Sequence, residues 1–175
     1  DKFIEQTKDV WTHLVDIRKS FEPRAEELAK KYALAPYTMF IGSGALWGET
    51  ILFSMCILEE MQWKRTRYIT SADFFHGTLE LVEPGVPVFL FMGEDENRKL
   101  DERVRAFLNR GVTGDTDINI IDTAEFAIPG LDDEFRVIVS PWILSSLITD
   151  RLAAYYETVT KHNLKYRRYY HQFDY

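Results

Sequence analysis

Three side chains in the middle of the chain have the chemistry needed to move protons on a small molecule. Glu59 and Glu60 stand together late in an apolar segment, and His76 follows in the next loop. A carboxylate can remove a proton from carbon, and an imidazole can donate or accept one near neutral pH. On successive elements of an α/β unit, both can point into the crevice at the strand ends. One of these two glutamates, together with His76, is therefore an acid/base candidate.

Strand-like and helical runs alternate along the chain and would position these groups. Near-continuous apolar runs predict strands at 37–41 and 87–92, and shorter strand-like segments are predicted at 67–70 and 118–121. Helical patterns cover 3–17, a second run opened by Pro23, an apolar stretch at 45–63, and an amphipathic stretch from Leu100 that ends at Gly111. Residues 132–140 fit either a strand or a helix, and Pro141 is predicted to start a helix to about Thr160. This order predicts an α/β fold with helices on both faces of a parallel sheet.

Periodicity does not choose between the two glutamates. On a helix over 45–63, Glu60 shares its face with Cys56, whereas Glu59 follows Met55. A solvated glutamate pair at a helix end is the alternative to a catalytic carboxylate. For His76 the alternative is a packed histidine.

A glycine-containing turn follows the first predicted strand. Gly42-Ser43-Gly44 would supply the first two glycines of a dinucleotide motif, but Trp47 stands where a third small residue is needed. A nicotinamide cofactor is therefore not expected. The turn is interpreted as a sugar- or anion-facing loop that uses helix N-terminal amides, with a tight turn without ligand as the alternative.

The stretch 56–80, CILEEMQWKRTRYITSADFFHGTLE, resembles the sugar isomerase (SIS) family in the spacing of Glu60 and His76 and in the segment Asp73-Phe74-Phe75-His76-Gly77. It is most similar to the second half of deglycases that act on phosphorylated fructose-amino acids. The isomerase part of glucosamine-6-phosphate synthase is a more distant match. The resemblance extends from about Phe3 to Tyr175 and implies a three-layer α/β/α SIS fold with a mainly parallel four- to five-stranded sheet.

The resemblance also implies a reaction. Glu60 would move a proton between the first two sugar carbons, and His76 would open the sugar ring. A fructosamine 6-phosphate would then be cleaved to glucose 6-phosphate and a free amino acid or amine, without metal or organic cofactor. The remaining substrate-binding residues would be Gly42, Ser43, Gly44, Asp73, Arg167 and Arg168.

Some positions depart from the family pattern. Asp73 stands where relatives usually have Glu, and Thr78 where they usually have Pro. Ile57 replaces the lysine that the synthase uses, which disfavours an amidotransferase-type reaction. The alternatives are a ketose/aldose isomerase, or a non-catalytic sugar-phosphate-sensing module that would not need Glu60 or His76.

The C-terminal tail allows two interpretations. Arg167 and Arg168 could close over a phosphate or a substrate carboxylate. Alternatively, the tail is a surface segment that docks through Tyr169 and Tyr170.

Composition limits the partners. A net charge of −7 and a pI near 5.1 argue against nucleic-acid or anionic-membrane surfaces. No uncharged run of transmembrane length is present, and the single Cys56 rules out an internal disulfide, so a reducing cytoplasm is expected. The expected partners are a small-molecule sugar phosphate and further copies of the chain, as a homodimer or larger assembly. The spacing of the histidines does not predict a metal site; they are His13, His76, His162 and His171.

The length of 175 residues suits one domain. We divide it into an N-terminal helical segment (1–35) packing on the domain, a SIS domain (36–160) and a tail (161–175). Asp1 in place of Met predicts a piece of a longer protein. The SIS relatives carry two such halves, the first with a Ser/Thr-rich phosphate loop that this sequence lacks, so the chain alone is expected to fold but not to catalyse.

Overall fold

A computed structural model describes residues 1–111 and 117–174, so Tyr175 of the predicted tail lies outside the described residues. The strands are β1 (Thr38–Ile41), β2 (Thr66–Ile69), β3 (Val88–Met92) and β4 (Ile118–Asp122). The α-helices are α1 (Lys2–Thr7), α2 (Val10–Tyr32), α3 (Trp47–Ile51), α4 (Ser71–Phe74), α5 (Arg98–Leu108), α6 (Asp133–Ser145) and α7 (Ala153–Thr160). Short 3₁₀ turns lie at Gly44–Leu46, Thr78–Leu81 and Thr123–Glu125.

The four strands form one parallel sheet in the order β2-β1-β3-β4. The edge strands β2 and β4 are only partly buried, whereas the two central strands, β1 and β3, are buried along their whole length. Such strands form the centre of a sheet that is covered twice. The predicted α/β architecture with a four-stranded parallel sheet is confirmed.

Two hydrophobic cores lie on opposite faces of the sheet. On one face, Phe40 and Phe89 stack with ring centroids 5.2 Å apart and pack with residues of α2, α6 and α7. On the other, Met39 and Leu90 pack with residues of α4 and α5. The buried stripe of α2 includes Leu14 and belongs to the first core, so residues 10–32 contribute to the domain itself. The molecule therefore has three α/β/α layers.

Two prolines lie inside helices, where the sequence predicted helix starts. Pro23 is within α2 and Pro141 is within α6. Proline lacks the N–H that would bond to the carbonyl four residues earlier. For Pro141 that carbonyl belongs to Val137, and the Ser140 hydroxyl donates to it at 3.2 Å. Both predicted boundaries are wrong, and the ambiguous segment 132–140 is helical from Asp133.

Two helices widen into π-helical turns. The predicted helix over 45–63 consists of a 3₁₀ turn, α3, and a π-helical segment Leu52–Met61 that ends where the Gln62 N–H donates to the Ile57 carbonyl at 3.1 Å. A second π-helical segment, Ser146–Leu152, joins α6 to α7. π-helical turns are uncommon and occur frequently at functional sites.

The helical stretch Asp133–Thr160 is long and apolar enough to cross a membrane by composition alone. However, 50% of its most apolar part is buried inside the domain, where Ile143, Leu147 and Tyr156 belong to the first core. It serves in this fold as a core helix.

Candidate active site

A cavity of about 680 Å³ lies at the amino-terminal edge of the sheet, beside the end of the π-helical segment. Glu59 and Glu60 lie on its wall because the last π-helical turn ends here, just before β2 begins. Charged, polar and aromatic groups share the rest of the wall. The lining residues are Pro36, Glu59, Glu60, Trp63, Lys64, Arg65, Arg168, Tyr169 and Tyr170.

The two glutamates have different partners. Glu59 accepts a hydrogen bond of 2.5 Å from the hydroxyl of Thr66, the first residue of β2. Glu60 forms an ion pair with the tail, in which Arg167 Nε lies 2.7 Å from Glu60 Oε1. Both side chains of this pair are partly buried, at 31% exposure for Glu60 and 18% for Arg167. Glu59 is thus bound to the strand, whereas Glu60 faces the tail.

The tail docks on the residues that follow Glu60. Gln62 donates through Nε2 to the His162 carbonyl at 2.5 Å and accepts from the Thr160 hydroxyl at 2.6 Å. The Arg168 guanidinium lies over the Trp63 ring, 4.3 Å from its centroid, in cation–π geometry. Tyr169 and Tyr170 are exposed and line the cavity. Gln62, Arg167 and Arg168 therefore hold the tail together with Leu164, which packs on the first core and whose N–H donates to Glu157 at 3.1 Å.

The backbone between the helix and β2 is strained at Trp63, whose φ is 53°. Bulky residues rarely adopt this left-handed conformation, which costs on the order of 1 to 3 kcal/mol. The turn places the indole ring beneath Arg168 and against the His162 ring, whose centroid is 4.3 Å away. The strained residue is therefore also the platform on which the tail rests.

His76 lies at the other end of β2. It follows α4, which begins after the carboxyl end of the strand, and its N–H donates to the Asp73 carbonyl at 2.9 Å. The side chain is exposed, and Gly77 beside it has a φ of 141°. Because β2 advances about 3.3 Å per residue, its length separates the histidine from the Glu60 cavity. The prediction that both groups point into one crevice is wrong within a single chain.

Asp73 is held by its own helix cap. Thr70 is the N-cap residue of α4, and its hydroxyl accepts from the Asp73 N–H and donates to Asp73 Oδ2 at 2.8 Å. The Asp73 side chain therefore fixes the turn that presents His76. The structure places it with His76 and away from Glu60.

The Gly42-Ser43-Gly44 loop is filled by other parts of the chain. A Cβ at Gly42 would lie 2.1 Å from the Thr50 hydroxyl, and one at Gly44 would lie 2.1 Å from Asp95 Oδ2. That Asp95 oxygen accepts from the Ala45 N–H at 2.6 Å, in the position where a bound anion would sit. The buried Ser43 hydroxyl accepts from the Ser71 N–H at 2.8 Å. These contacts explain both glycines without an external ligand.

Buried and partly buried acidic side chains lie near the Gly42-Ser43-Gly44 loop, at the edge of the sheet where the carboxyl ends of the strands meet. Asp101 is 1% exposed, and its carboxyl accepts from the Ser71 hydroxyl and from the Gly93 N–H. Burial raises the pKa of Asp101 to about 6, and these two hydrogen bonds oppose the rise. Nearby, Arg98 binds both oxygens of Asp122, at 2.9 and 2.6 Å. Asp95, Asp101 and Asp122 at this edge are therefore engaged with partners of their own chain.

Sequence reasoning missed Pro36, Trp63, Lys64 and Arg65 of the cavity wall, and it also missed Gln62, which binds the tail. The signal was available, because the polar run from Gln62 to Arg67 follows an apolar helix at once and adjoins Glu60. Among residues 1–111 and 117–174, no group of three or more His, Cys, Asp or Glu side chains could hold a metal ion.

Comparison with known proteins identifies relatives of this chain. The chain is 30% identical over 148 residues to the fructosamine deglycase FrlB of Bacillus subtilis, covering 83% of this chain and 43% of the relative. It is 29% identical over 170 residues to the fructoselysine 6-phosphate deglycase of Escherichia coli K12, covering 95% and 46%. The chain thus spans less than half the length of these relatives. No family model matches it.

Solved structures give the same result. A candidate phosphosugar isomerase from Bacillus subtilis superposes with a TM-score of 0.90 at 26% identity, over 99% of this chain and 52% of that one. A second, from Salmonella typhimurium, gives 0.89 at 26% identity, over 100% and 53%. The chain has the sugar isomerase (SIS) fold, and its predicted resemblance to that family is confirmed. Within the family, its curated relatives at about 30% identity are deglycases of fructosamines and fructoselysine 6-phosphate.

Proposed function

We propose that this chain is the second SIS half of a cytoplasmic enzyme that cleaves fructosamine 6-phosphates to glucose 6-phosphate and a free amino acid or amine. The observation that carries the proposal is the position of Glu60, a carboxylate on the wall of a cavity that the tail covers through Arg167. The named activities of the relatives, which are deglycases, support the substrate class.

In this mechanism Glu60 removes a proton from C1 of the open-chain ketosamine to give an enolamine. Reprotonation at C2 gives an aldose imine, which water hydrolyses to glucose 6-phosphate and the amine. General acid/base help of this kind contributes about 10² to 10⁴ in rate. Arg167 keeps the carboxylate oriented towards the cavity until substrate enters.

His76 opens the sugar ring in the same proposal, and it does so in the cavity of a second copy of the chain. The exposed imidazole stands at the carboxyl end of β2, on a short capped turn, while Glu60 of the same chain lies at the amino end. A two-fold dimer that apposes these two ends would bring one subunit's His76 to the other's Glu60. Asp73 then acts by fixing the turn that presents the imidazole.

The arrangement is tested by mixing two inactive variants of the full-length gene product. Glu60→Gln and His76→Asn are each expected to lower turnover at least about a hundredfold. After unfolding and co-refolding at equal amounts, the mixed dimers contain one site with both native groups. Glucose 6-phosphate release from a fructosamine 6-phosphate is expected to recover to a sizeable fraction of the wild-type rate. Mixtures as inactive as the separate variants would contradict a shared site.

The matched control is refolding each variant alone, which restores no intact site. Near-normal turnover of either single variant would overturn its catalytic role. A phosphosugar isomerase and a sugar-phosphate sensor remain the rival functions. Aldose–ketose interconversion without amine release would favour the isomerase. Sugar-phosphate binding that is unaffected by both substitutions would favour the sensor.

A further inference from the structure

The turn that presents His76 is too short to hold its own position in the domain. The helix before it, α4, has four residues, whereas isolated helices shorter than roughly 12 to 15 residues are marginal in water. After it, Gly77 has a φ of 141°, and a Cβ added there would meet no atom within 4 Å. The Thr70 cap closes the turn on itself but does not attach it to the sheet. The position of the imidazole therefore depends on contacts between α4 and other elements.

The next helix, α5, makes a buried polar contact with the first residue of α4. The hydroxyl of Ser71, which is 0% exposed, donates to Asp101 Oδ1 at 2.5 Å. The other carboxyl oxygen of Asp101 accepts from the Gly93 N–H at 3.3 Å, directly after the end of β3. One buried carboxyl thus joins the start of α4 to a central strand of the sheet.

α5 also contacts the end of α4, next to His76. The buried Phe74 ring packs edge-on against Phe107, with centroids 5.7 Å apart, and the Phe75 ring lies 6.0 Å from the same partner. The Arg103 guanidinium lies over the Phe75 ring, 4.0 Å from its centroid, in cation–π geometry. Because Phe75 directly precedes His76, a movement of this ring would move the imidazole with it.

Stability alone does not account for a carboxyl at the position of Asp101. Burial raises its pKa to about 6, so the ionised group lowers the stability of the fold at neutral pH. The nearby Arg98 pairs with Asp122 and not with Asp101. Groups that reduce stability are commonly found where activity needs them. The contacts of Asp101 indicate what that need is, since they fix the turn that carries His76.

We propose that Asp101 and Arg103 of α5 are positioning residues for His76, Asp101 through Ser71 and Arg103 through Phe75. This inference rests on the proposed function, in which His76 opens the sugar ring. Neither residue touches the sugar, and both act only through the imidazole. Misplacing a reacting group by about 1 Å can cost roughly 10²-fold in rate, so even a partial loss of this support is measurable in turnover.

The test is a pair of double-mutant cycles in the full-length enzyme, assayed by glucose 6-phosphate release. Asp101→Ala and Arg103→Met are each made in the wild type and in His76→Asn. In the wild type each is expected to lower kcat about tenfold with little change in KM, because the imidazole is displaced while the contacts to substrate remain. In His76→Asn neither is expected to cause a further loss, since no imidazole remains to be positioned.

The same helix supplies the matched controls. Glu102→Ala removes a partly exposed carboxylate that pairs with Arg105, and Lys99→Met removes an exposed cation. Both are expected to keep nearly the wild-type kcat. Arg103 is itself exposed, so Arg103→Met keeps the inference testable if Asp101→Ala does not fold.

Hydrogen–deuterium exchange measures the positioning without reference to turnover. Amides of residues 71–77 are expected to exchange several times faster in Asp101→Ala and Arg103→Met than in the two controls, because local opening becomes easier. Amides of β3 are expected to keep their wild-type rates, which shows that the domain remains folded.

The outcomes distinguish this inference from the proposed function. Equal fractional losses of kcat in the wild type and in His76→Asn would show a general structural effect and would overturn the inference while the function stands. Wild-type kcat in both single variants would do the same. Near-normal turnover of His76→Asn alone would remove the proposed role of His76, and the inference would then fail with its basis.

Discussion

Two neighbouring glutamates, Glu59 and Glu60, have different partners in this structure. Thr66 donates to Glu59 at the start of β2, whereas Glu60 pairs with Arg167 from the tail. The sequence could place both at a helix end but could not distinguish them, because their partners lie 7 and more than 100 positions away. The resemblance selected Glu60, and the contacts supply a physical basis for that selection.

We expect Glu59→Gln to retain most activity in the full-length enzyme, because glutamine also accepts the Thr66 hydrogen bond. Glu60→Gln removes the only group of the pair that faces the tail and should lose at least about a hundredfold in turnover. Steady-state kinetics with a fructosamine 6-phosphate checks both. A larger loss in Glu59→Gln than in Glu60→Gln would reverse the assignment.

Asp101 gives the fold a pH dependence. Its pKa rises from an ordinary 3.8 to about 6 in the folded chain, so the folded state binds an extra proton in that window. The stability from this group is complete below the lower value and is lost as the pH rises through about 6. As the pH rises through this window, the free energy of unfolding should decrease less in Asp101→Asn than in the wild type. The expected difference between the two decreases is on the order of 1 to 3 kcal/mol.

Urea unfolding at pH 4 and at pH 6.5 measures this slope for the two proteins. Asp16→Asn, whose side chain is 68% exposed, is the matched control for the loss of one carboxylate. An unchanged slope in Asp101→Asn would show that the buried network does not couple to pH.

At the scale of elements, the sequence predicted the strands well and the helices less well. Each predicted strand lies within one or two residues of the observed ends. Pro23 and Pro141 were taken as helix starts, yet both helices continue through them because buried residues on either side belong to the same core. The π-helical turns have no pattern that local propensity could reveal, since they depend on packing against the sheet and tail.

The tail depends on Gln62, which bridges Thr160 and the His162 carbonyl. Gln62→Ala removes both hydrogen bonds, and we expect it to release the segment after His162 without unfolding the domain. Limited trypsin digestion measures this, because Lys165 and Arg167 lie in the tail. Cleavage should become several times faster than in Gln172→Ala, a control that alters an exposed tail glutamine. Equal rates in the two variants would mean that Gln62 does not hold the tail.

At the scale of the molecule, the spacing of Glu60 and His76 identified the family but not their relative positions. The number of residues between two groups does not say where they lie in space, and the chain runs the whole length of β2 between Glu60 and His76. The separation became visible only in three dimensions. It is the physical reason to expect that a working site combines two subunits.

We predict a homodimer or larger assembly in solution. The exposed aromatic residues near the Glu60 cavity, including Tyr169 and Tyr170, are of the type enriched at interfaces. Light scattering at high micromolar concentration checks the mass. A strictly monomeric mass would contradict both the assembly and a site shared between subunits.

The isolated chain is expected to fold but not to turn over substrate. Folding is expected because both hydrophobic cores are present in the chain. Turnover is not expected because the sequence lacks the phosphate loop that would position the substrate, and misplacing a substrate by about 1 Å can cost roughly 10²-fold in rate. Assays of glucose 6-phosphate release compare the chain alone with the chain mixed with a separately expressed first half. Full activity of the chain alone would contradict the prediction.

The Asp95 carboxylate occupies the place at the glycine loop that an anion from solution would need. This carboxylate is tethered to the chain that forms the loop, so it competes with any free anion at an effective concentration that dilution cannot reduce. A phosphate would have to displace this tethered carboxylate and would then face its charge. The Asp95 carboxylate therefore competes with any external anion for the Ala45 N–H, and Asp95→Ser would remove this competition.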